Sequence, residues 1–184
     1  MADPERDFIV FTGGPGAGKT TLVEHLAREG LACCPEAGRG IIRAQAAIDG
    51  PALPWRDQAL FGELMLGWEM RSHEAARLRP RPVLFDRGVP DVIGYLRLEG
   101  LPVPGHLLRA AERLRYRRQV FVAPPWPEIY RQDMERRQDA DTARRTCDAM
   151  RETYGSLGYD LIDLPLAPVE ERAAFVRDAL GLSP

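Results

Sequence analysis

The residues Gly13-Gly14-Pro15-Gly16-Ala17-Gly18-Lys19-Thr20 constrain this chain more than any other stretch. They spell G-x-x-x-x-G-K-T, and an apolar run rich in β-formers, Phe8-Ile9-Val10-Phe11-Thr12, stands just before them. Thr20 to Arg28 then reads as a helix, with Leu22, Leu26 and Ala27 on one face and Gly30 as the stop. Strand, glycine loop and helix in that order turn backbone N–H groups and a helix N-terminus toward one polyphosphate. Lys19 is the one lysine in a chain with 24 arginines. A flexible point charge is kept where the β- and γ-phosphates of a nucleotide would lie, a place that a wide planar guanidinium cannot fill. The loop from Gly13 to Thr20, with Thr21 behind it, is therefore the predicted nucleoside-triphosphate site, and the Thr20 hydroxyl is a predicted ligand to Mg²⁺.

Beyond the loop, short apolar runs alternate with helical patterns, which argues for a parallel sheet with helices on both faces. Further strands are expected at Leu31–Cys34, Val83–Phe85, Val120–Ala123 and Tyr159–Leu164. Helices are expected at Glu36–Ile48, Arg56–Leu78, Asp91–Leu98, His106–Arg117 and Val169–Leu180. In the long Arg56–Leu78 segment, Leu60, Leu64 and Trp68 recur at helical spacing. No repeat, low-complexity tract or dividing linker interrupts the 184 residues, so one domain is expected over 1–184.

A net charge of −2 gives no global field to recruit nucleic acid or an anionic membrane. No apolar stretch approaches the roughly 20 residues of a membrane span. The polar N-terminus Met1-Ala2-Asp3-Pro4-Glu5-Arg6-Asp7 reads as neither signal nor transit peptide, so a cytoplasmic protein is expected. Cys33, Cys34 and Cys147 make no disulfide framework, and His25, His73 and His106 lack metal-ligand spacing.

Three constellations carry candidate chemistry. The strand Val83-Leu84-Phe85 ends in Asp86-Arg87-Gly88, and an apolar strand ending in Asp brings a carboxylate near Mg²⁺. Arg87 suits a substrate or phosphoryl oxygen better than it suits activation of water; a solvated Asp-Arg turn is the plainer reading. Glu36 follows the second strand, where ligands of open parallel sheets bind, with Arg39 and Arg43 on its helical face. It can accept a proton from an acceptor hydroxyl, or simply start a helix whose dipole favours a carboxylate. Arg136 and Arg137, in Tyr130-Arg131-Gln132-Asp133-Met134-Glu135-Arg136-Arg137, fall where a lid could bring positive charge to a transferring phosphoryl group. A solvated amphipathic helix is the alternative there. Trp126 and Tyr130 are candidates to stack on a base, or to pack in the core.

Together these residues resemble the P-loop small-molecule kinases, the group that contains nucleoside and nucleotide monophosphate kinases. Asp86-Arg87-Gly88 with Asp91 and Tyr95 is similar to the Asp-Arg segment of thymidylate kinases. Pro35-Glu36 is similar to the Pro-Glu segment of deoxyribonucleoside kinases, whose Glu is the catalytic base. Glu36-Ala37-Gly38-Arg39 resembles a Glu-Tyr-Gly-Arg stretch in the ribosylnicotinamide kinase domain of bacterial NadR, with Ala37 in place of the aromatic. Over nearly its whole length the chain resembles the AAA_28 set of predicted ATPases and kinases. The shared features are the loop, Pro35-Glu36-Ala37, Phe85-Asp86-Arg87-Gly88, Pro124-Pro125-Trp126 and Glu135-Arg136.

The resemblance implies an α/β P-loop NTPase fold of three layers, with a five-stranded parallel sheet in order 2-3-1-4-5 and a small lid near 127–142. It also implies ATP with Mg²⁺, and an acceptor site over Glu36 and Asp86. The expected activity is ATP-dependent phosphotransfer to a small molecule, by a monomer or homodimer. An ATPase or nucleotide-regulated protein without such an acceptor is the alternative. A guanine-specific switch is disfavoured, because its usual Asn-Lys-x-Asp motif needs a second lysine.

Overall fold

Five strands pair into one parallel sheet in the order β2-β3-β1-β4-β5, in a computed structural model that describes residues 7–127 and 140–182. In chain order the elements are β1 (Phe8–Gly13), α1 (Lys19–Arg28), β2 (Ala32–Cys34), α2 (Ala37–Ala47), α3 (Gln58–Ala76) and β3 (Val83–Asp86). They continue with α4 (Val89–Leu98), α5 (Gly105–Arg113), β4 (Gln119–Ala123), α6 (Ala140–Ser156), β5 (Asp160–Asp163) and α7 (Val169–Leu180). The expected order 2-3-1-4-5 is the observed one.

The central strand shows why the sheet must be covered on both faces. Every residue of β1 is buried. Successive side chains of a strand point to opposite faces. Phe8 and Val10 accordingly join Phe85, Ile93, Leu107 and Tyr154 in one core, roofed by α3, α4, α5 and α6. Ile9 and Phe11 join Leu22, Leu26, Leu84, Phe121 and Val176 in the other, under α1 and α7. A smaller cluster of Ala37, Ile41 and Phe61 joins α2 to α3.

Several elements depart from the sequence reading, among them α6, which was not among the expected helices. α4 begins at Val89, two residues before the expected Asp91. Pro90 in its first turn lacks an N–H that has no helical partner there anyway. The expected helix to Arg117 stops at Arg113, because Tyr116 turns into the core and the Arg117 N–H donates to the Phe8 carbonyl at 2.8 Å. In α3 the recurring Leu60, Leu64 and Trp68 are each more than a third exposed, while Phe61, Leu66, Glu69 and His73 face inward. Trp68 lies over Gly40 of α2, where an added Cβ would meet its ring at 2.7 Å.

Candidate functional site

The phosphate loop connects β1 to α1, and two of its glycines are required by what surrounds them. Gly13 has φ +122°, and a Cβ there would sit 2.3 Å from the Ala123 carbonyl oxygen at the end of β4. A Cβ on Gly14 would sit 2.2 Å from the Ala143 carbonyl oxygen in α6. The loop is thus held between β4 and α6 by backbone approach that a side chain would prevent. Lys19 is buried, and its ammonium donates to the Gly14 carbonyl. Burial, with the Arg87 charge, lowers its pKa to about 8 against the attraction of Asp86, Glu36 and Asp91.

Asp86 ends β3 and pairs in register with Phe11 of the central strand, so it sits beside the loop. The Thr20 hydroxyl donates to Asp86 Oδ2 at 2.6 Å. Asp86 Oδ1 is buried with no hydrogen-bond partner among the described residues. Burial and the neighbouring Glu36 push the Asp86 carboxyl up, against Lys19, Thr20 and Arg87. A carboxylate oxygen aimed at nothing, one hydroxyl away from a phosphate loop, fits a Mg²⁺ ion that takes its remaining ligands from phosphate and water. Thr20 lines the cleft described below; Asp86 does not, and reaches it through Thr20.

Glu36 is the N-cap residue of α2, placed at the carboxyl end of β2 by the Pro35 link. Arg39 pairs with it at 3.2 Å and Arg87 at 3.4 Å. Burial alone would raise the Glu36 carboxyl, but Arg87, Lys19 and Arg39 together hold it below its usual range. Arg43 lies one helical turn beyond Arg39 and is exposed. Arg87 carries the strained backbone of the site, at φ +78°. Such a conformation costs a non-glycine residue about 1–3 kcal/mol and persists only where its surroundings over-determine it. Here the Arg87 N–H donates to the Phe11 carbonyl at 3.0 Å, and its guanidinium donates to Asp91 Oδ1 at 2.9 Å.

Asp91 is the hub that spacing did not reveal. It accepts from the Thr12 hydroxyl at 2.6 Å, from Arg87, from the Gly88 N–H at 3.0 Å and from the Tyr154 hydroxyl at 2.7 Å. Its third-residue position in α4 lets it reach back to the N-cap, the one signal in the sequence that points to part of this role. Two further groups were missed. Glu69 of α3 is 3% exposed, and Arg172 of α7 donates to the Ala17 carbonyl at 3.0 Å while its guanidinium lies 5.8 Å from the Trp126 ring centre.

One continuous cleft of about 1470 Å³ joins these parts, running from Lys19 and Thr20 past Glu36 and Arg87 to Tyr95. Single small-molecule sites occupy roughly 300–1,000 Å³. The volume has room for a nucleotide and a second ligand. Thr21, Arg39, Arg43 and Trp126 also line it. Tyr130, Arg136 and Arg137 lie outside the described residues, as does most of the expected lid; its last residues, from Ala140, form the first turn of α6.

A parallel sheet in this order, with a phosphate loop after the central strand and a carboxylate ending its neighbour, defines the P-loop NTPase class of fold. The solved structures similar to this chain have that fold. A deoxyadenosine kinase from M. mycoides is 13% identical, with a TM-score of 0.63 over 95% of this chain and 98% of that one. A thymidylate kinase from Ehrlichia chaffeensis is 16% identical, with a TM-score of 0.63 over 95% and 97%. A NadR protein in complex with NR is 18% identical, with a TM-score of 0.65 over 97% of this chain and 52% of that one, so this chain spans about half its length. No curated protein matches the sequence. The chain belongs to the AAA_28 family, described as an AAA domain, whose model matches residues 8–172.

Proposed function

We propose that this chain is an ATP-dependent phosphotransferase acting on a small molecule of nucleoside, nucleotide or metabolite type. The observation that carries the reading is Arg87, held between Glu36 and Asp91 in the same cleft that the phosphate loop lines. An ATPase has to activate water alone. Here the residue after the strand-end carboxylate is an arginine fixed by two acidic partners, and a separate carboxylate, Glu36, stands beside room for a second ligand.

In this reading Gly13 to Thr21 hold the triphosphate of ATP, and Lys19 brings its charge to the β- and γ-phosphates. Thr20 and Asp86 would hold Mg²⁺, which when bound neutralises charge on the phosphate oxygens. Glu36 orients the acceptor hydroxyl and takes its proton as the oxygen bonds to the γ-phosphorus and ADP departs. Arg39, Arg43 and Arg87 position the acceptor. Arg136 and Arg137 supply charge to the transferring group. We read 1–184 as a single cytoplasmic domain, monomeric or homodimeric, without a nucleic-acid or membrane partner.

The test is ADP release from Mg·ATP with and without nucleosides and nucleoside monophosphates, with phosphorylated products identified by mass spectrometry. Release that rises with one class of acceptor, and yields its phosphate, supports transfer. An equal rate with every acceptor and with none supports the ATPase alternative.

A further inference from the structure

Glu69 is a buried carboxyl of the cleft that has no partner among the described residues. Its residue is 97% buried and lines the cleft, and with no hydrogen bond or ion pair to any described residue its carboxyl group opens onto the cleft. Burying a polar group without a partner is costly, and a methionine or leucine at this place in α3 would avoid the cost. Phe61, Met65 and Glu69 stand four residues apart and so share one face of α3. Asp91 and Tyr95 share a face of α4 in the same way. Gly38 marks where the acceptor end narrows. A Cβ there would meet the Phe61 ring at 3.6 Å, and both Glu36 Oε1 and the Met65 sulfur at 3.8 Å. The Phe61 and Tyr95 rings meet edge to face at 5.5 Å, and the Tyr95 hydroxyl is buried without a hydrogen-bond partner among the described residues. Flat apolar and aromatic walls with unpaired polar groups between them describe a site for a planar polar ring.

We infer that Glu69 recognises the acceptor, its carboxyl group pairing with the amide edge, an N–H beside a C=O, of a planar ring held by Phe61, Met65 and Tyr95. The inference rests on the reading of this cleft as an acceptor site. Burial, together with the Asp91 and Asp86 carboxylates, pushes Glu69 well above the usual carboxylate range, against Arg87. That environment shifts the balance toward the protonated form. A protonated carboxyl carries a donor and an acceptor side by side, the complement of an amide edge through two parallel hydrogen bonds. A cationic ring would need the ionised form, which this environment opposes.

Matched nucleosides test the inference: inosine against purine riboside, and uridine against pyrimidin-2-one riboside, each second member lacking the amide edge. Each is titrated calorimetrically into the full chain with Mg²⁺ and a non-hydrolysable ATP analogue. In at least one pair the amide-edged member is expected to bind about tenfold tighter or more, since an unpaired buried polar group is left behind in the other complex. Glu69→Met is expected to erase that preference while the affinity for the ATP analogue is unchanged. Glu69→Leu serves the same purpose should the Met variant fail to fold by circular dichroism. No preference in either pair, or an undiminished preference in a folded variant, overturns the inference. ADP release measured on the same nucleosides separates this idea from the kinase reading. A Glu69-dependent preference without phosphoryl transfer supports the site and sinks the kinase. Transfer that ignores both the amide edge and Glu69 keeps the kinase and sinks the site.

Discussion

The Thr20 hydroxyl donates to Asp86 Oδ2 at 2.6 Å, leaving Asp86 Oδ1 buried and unpartnered among the described residues. In the proposed reading Mg²⁺ would complete this half-satisfied carboxylate beside the phosphate loop. Asp86→Asn should raise the Mg²⁺ concentration for half-maximal activity by roughly 10–100-fold, the usual cost of losing a group that supports a metal site. A Mg²⁺ titration of turnover at saturating ATP measures this. An unshifted midpoint would leave Asp86 as a structural partner of Thr20 alone.

Lys19→Ala should remove productive ATP binding and leave the fold intact, as checked by calorimetry with circular dichroism. A pH series sharpens the prediction. Burial, with the Arg87 charge, lowers the Lys19 pKa to about 8 in the ligand-free protein, and a polyphosphate would favour its charged form. ATP affinity should therefore fall as pH rises past about 8, by up to about tenfold per unit. The stability of the ligand-free protein should move oppositely. Between about 8 and the ordinary 10.5 the unfolded chain holds the proton that the native chain has lost, so wild type gains stability relative to Lys19→Ala as pH rises.

Glu36 and Asp86 are expected to separate in their pH behaviour. Glu36 is held below its usual range by Arg87, Lys19 and Arg39, so it stays ionised through mildly acidic pH. Asp86 is shifted the other way, upward, by burial and the Glu36 charge. An acid limb of kcat/KM set by the Asp86 carboxyl should move in Asp86→Asn assayed at high Mg²⁺ and stay in place in Glu36→Gln; a limb unmoved in Asp86→Asn would belong to another group. Glu36→Gln should keep Mg·ATP binding and lower transfer by roughly 10²–10⁴-fold, the range for a lost general base. Full activity in that variant would return Glu36 to the role of a helix-start residue.

How much of this was legible in the chain depends on the range of the interaction. The loop, its strand and its helix are encoded within 21 consecutive residues, from Phe8 to Arg28, so periodicity and glycine spacing suffice. Asp86 and Glu36 were legible because a strand end fixes where a side chain emerges. The Asp91 hub was not, because Thr12 and Tyr154 lie 79 and 63 residues away. The inward face of α3 was not legible for another reason. Apolar residues run almost all round that helix, so Leu60, Leu64 and Trp68 form as good a stripe as Phe61, Met65 and Glu69. Only a neighbouring helix decides which stripe is buried, and it chose the one with a carboxyl in it.

Arg136 and Arg137 are predicted to act on the transferring group more than on nucleotide docking. Alanine at either should lower kcat by roughly tenfold or more, with a smaller change in the KM for ATP. A loss seen only when both are replaced would mean that they are redundant. Full activity in the double variant would assign the segment to the solvated surface.

Asp91 should be worth more to stability than any other polar residue of the site, because it holds a strained arginine. Arg87 sits at φ +78° with its guanidinium on Asp91 and Glu36, and Asp91 also takes the Thr12, Gly88 and Tyr154 donors. Removing one partner of a buried charged network costs about 3–5 kcal/mol, so Asp91→Ala should lower unfolding stability by that order in urea. Tyr154→Phe deletes one hydrogen bond to the same carboxylate and should cost about 1.5–3 kcal/mol. Tyr154 is far enough along the chain that only the folded state joins the two. A double-mutant cycle should therefore show coupling of about 0.5–3 kcal/mol, with the Tyr154 loss shrinking once Asp91 is gone. Turnover gives the second readout. If Asp91 works by aiming Arg87, Asp91→Asn should reduce kcat even under conditions where it remains folded, while Tyr154→Phe, which leaves the Arg87 contact in place, should reduce stability with little change in kcat. Strict additivity in the cycle would mean that the Tyr154 bond to Asp91 adds no stability, and equal kinetic damage from both single variants would mean that Asp91 does not transmit its effect through Arg87.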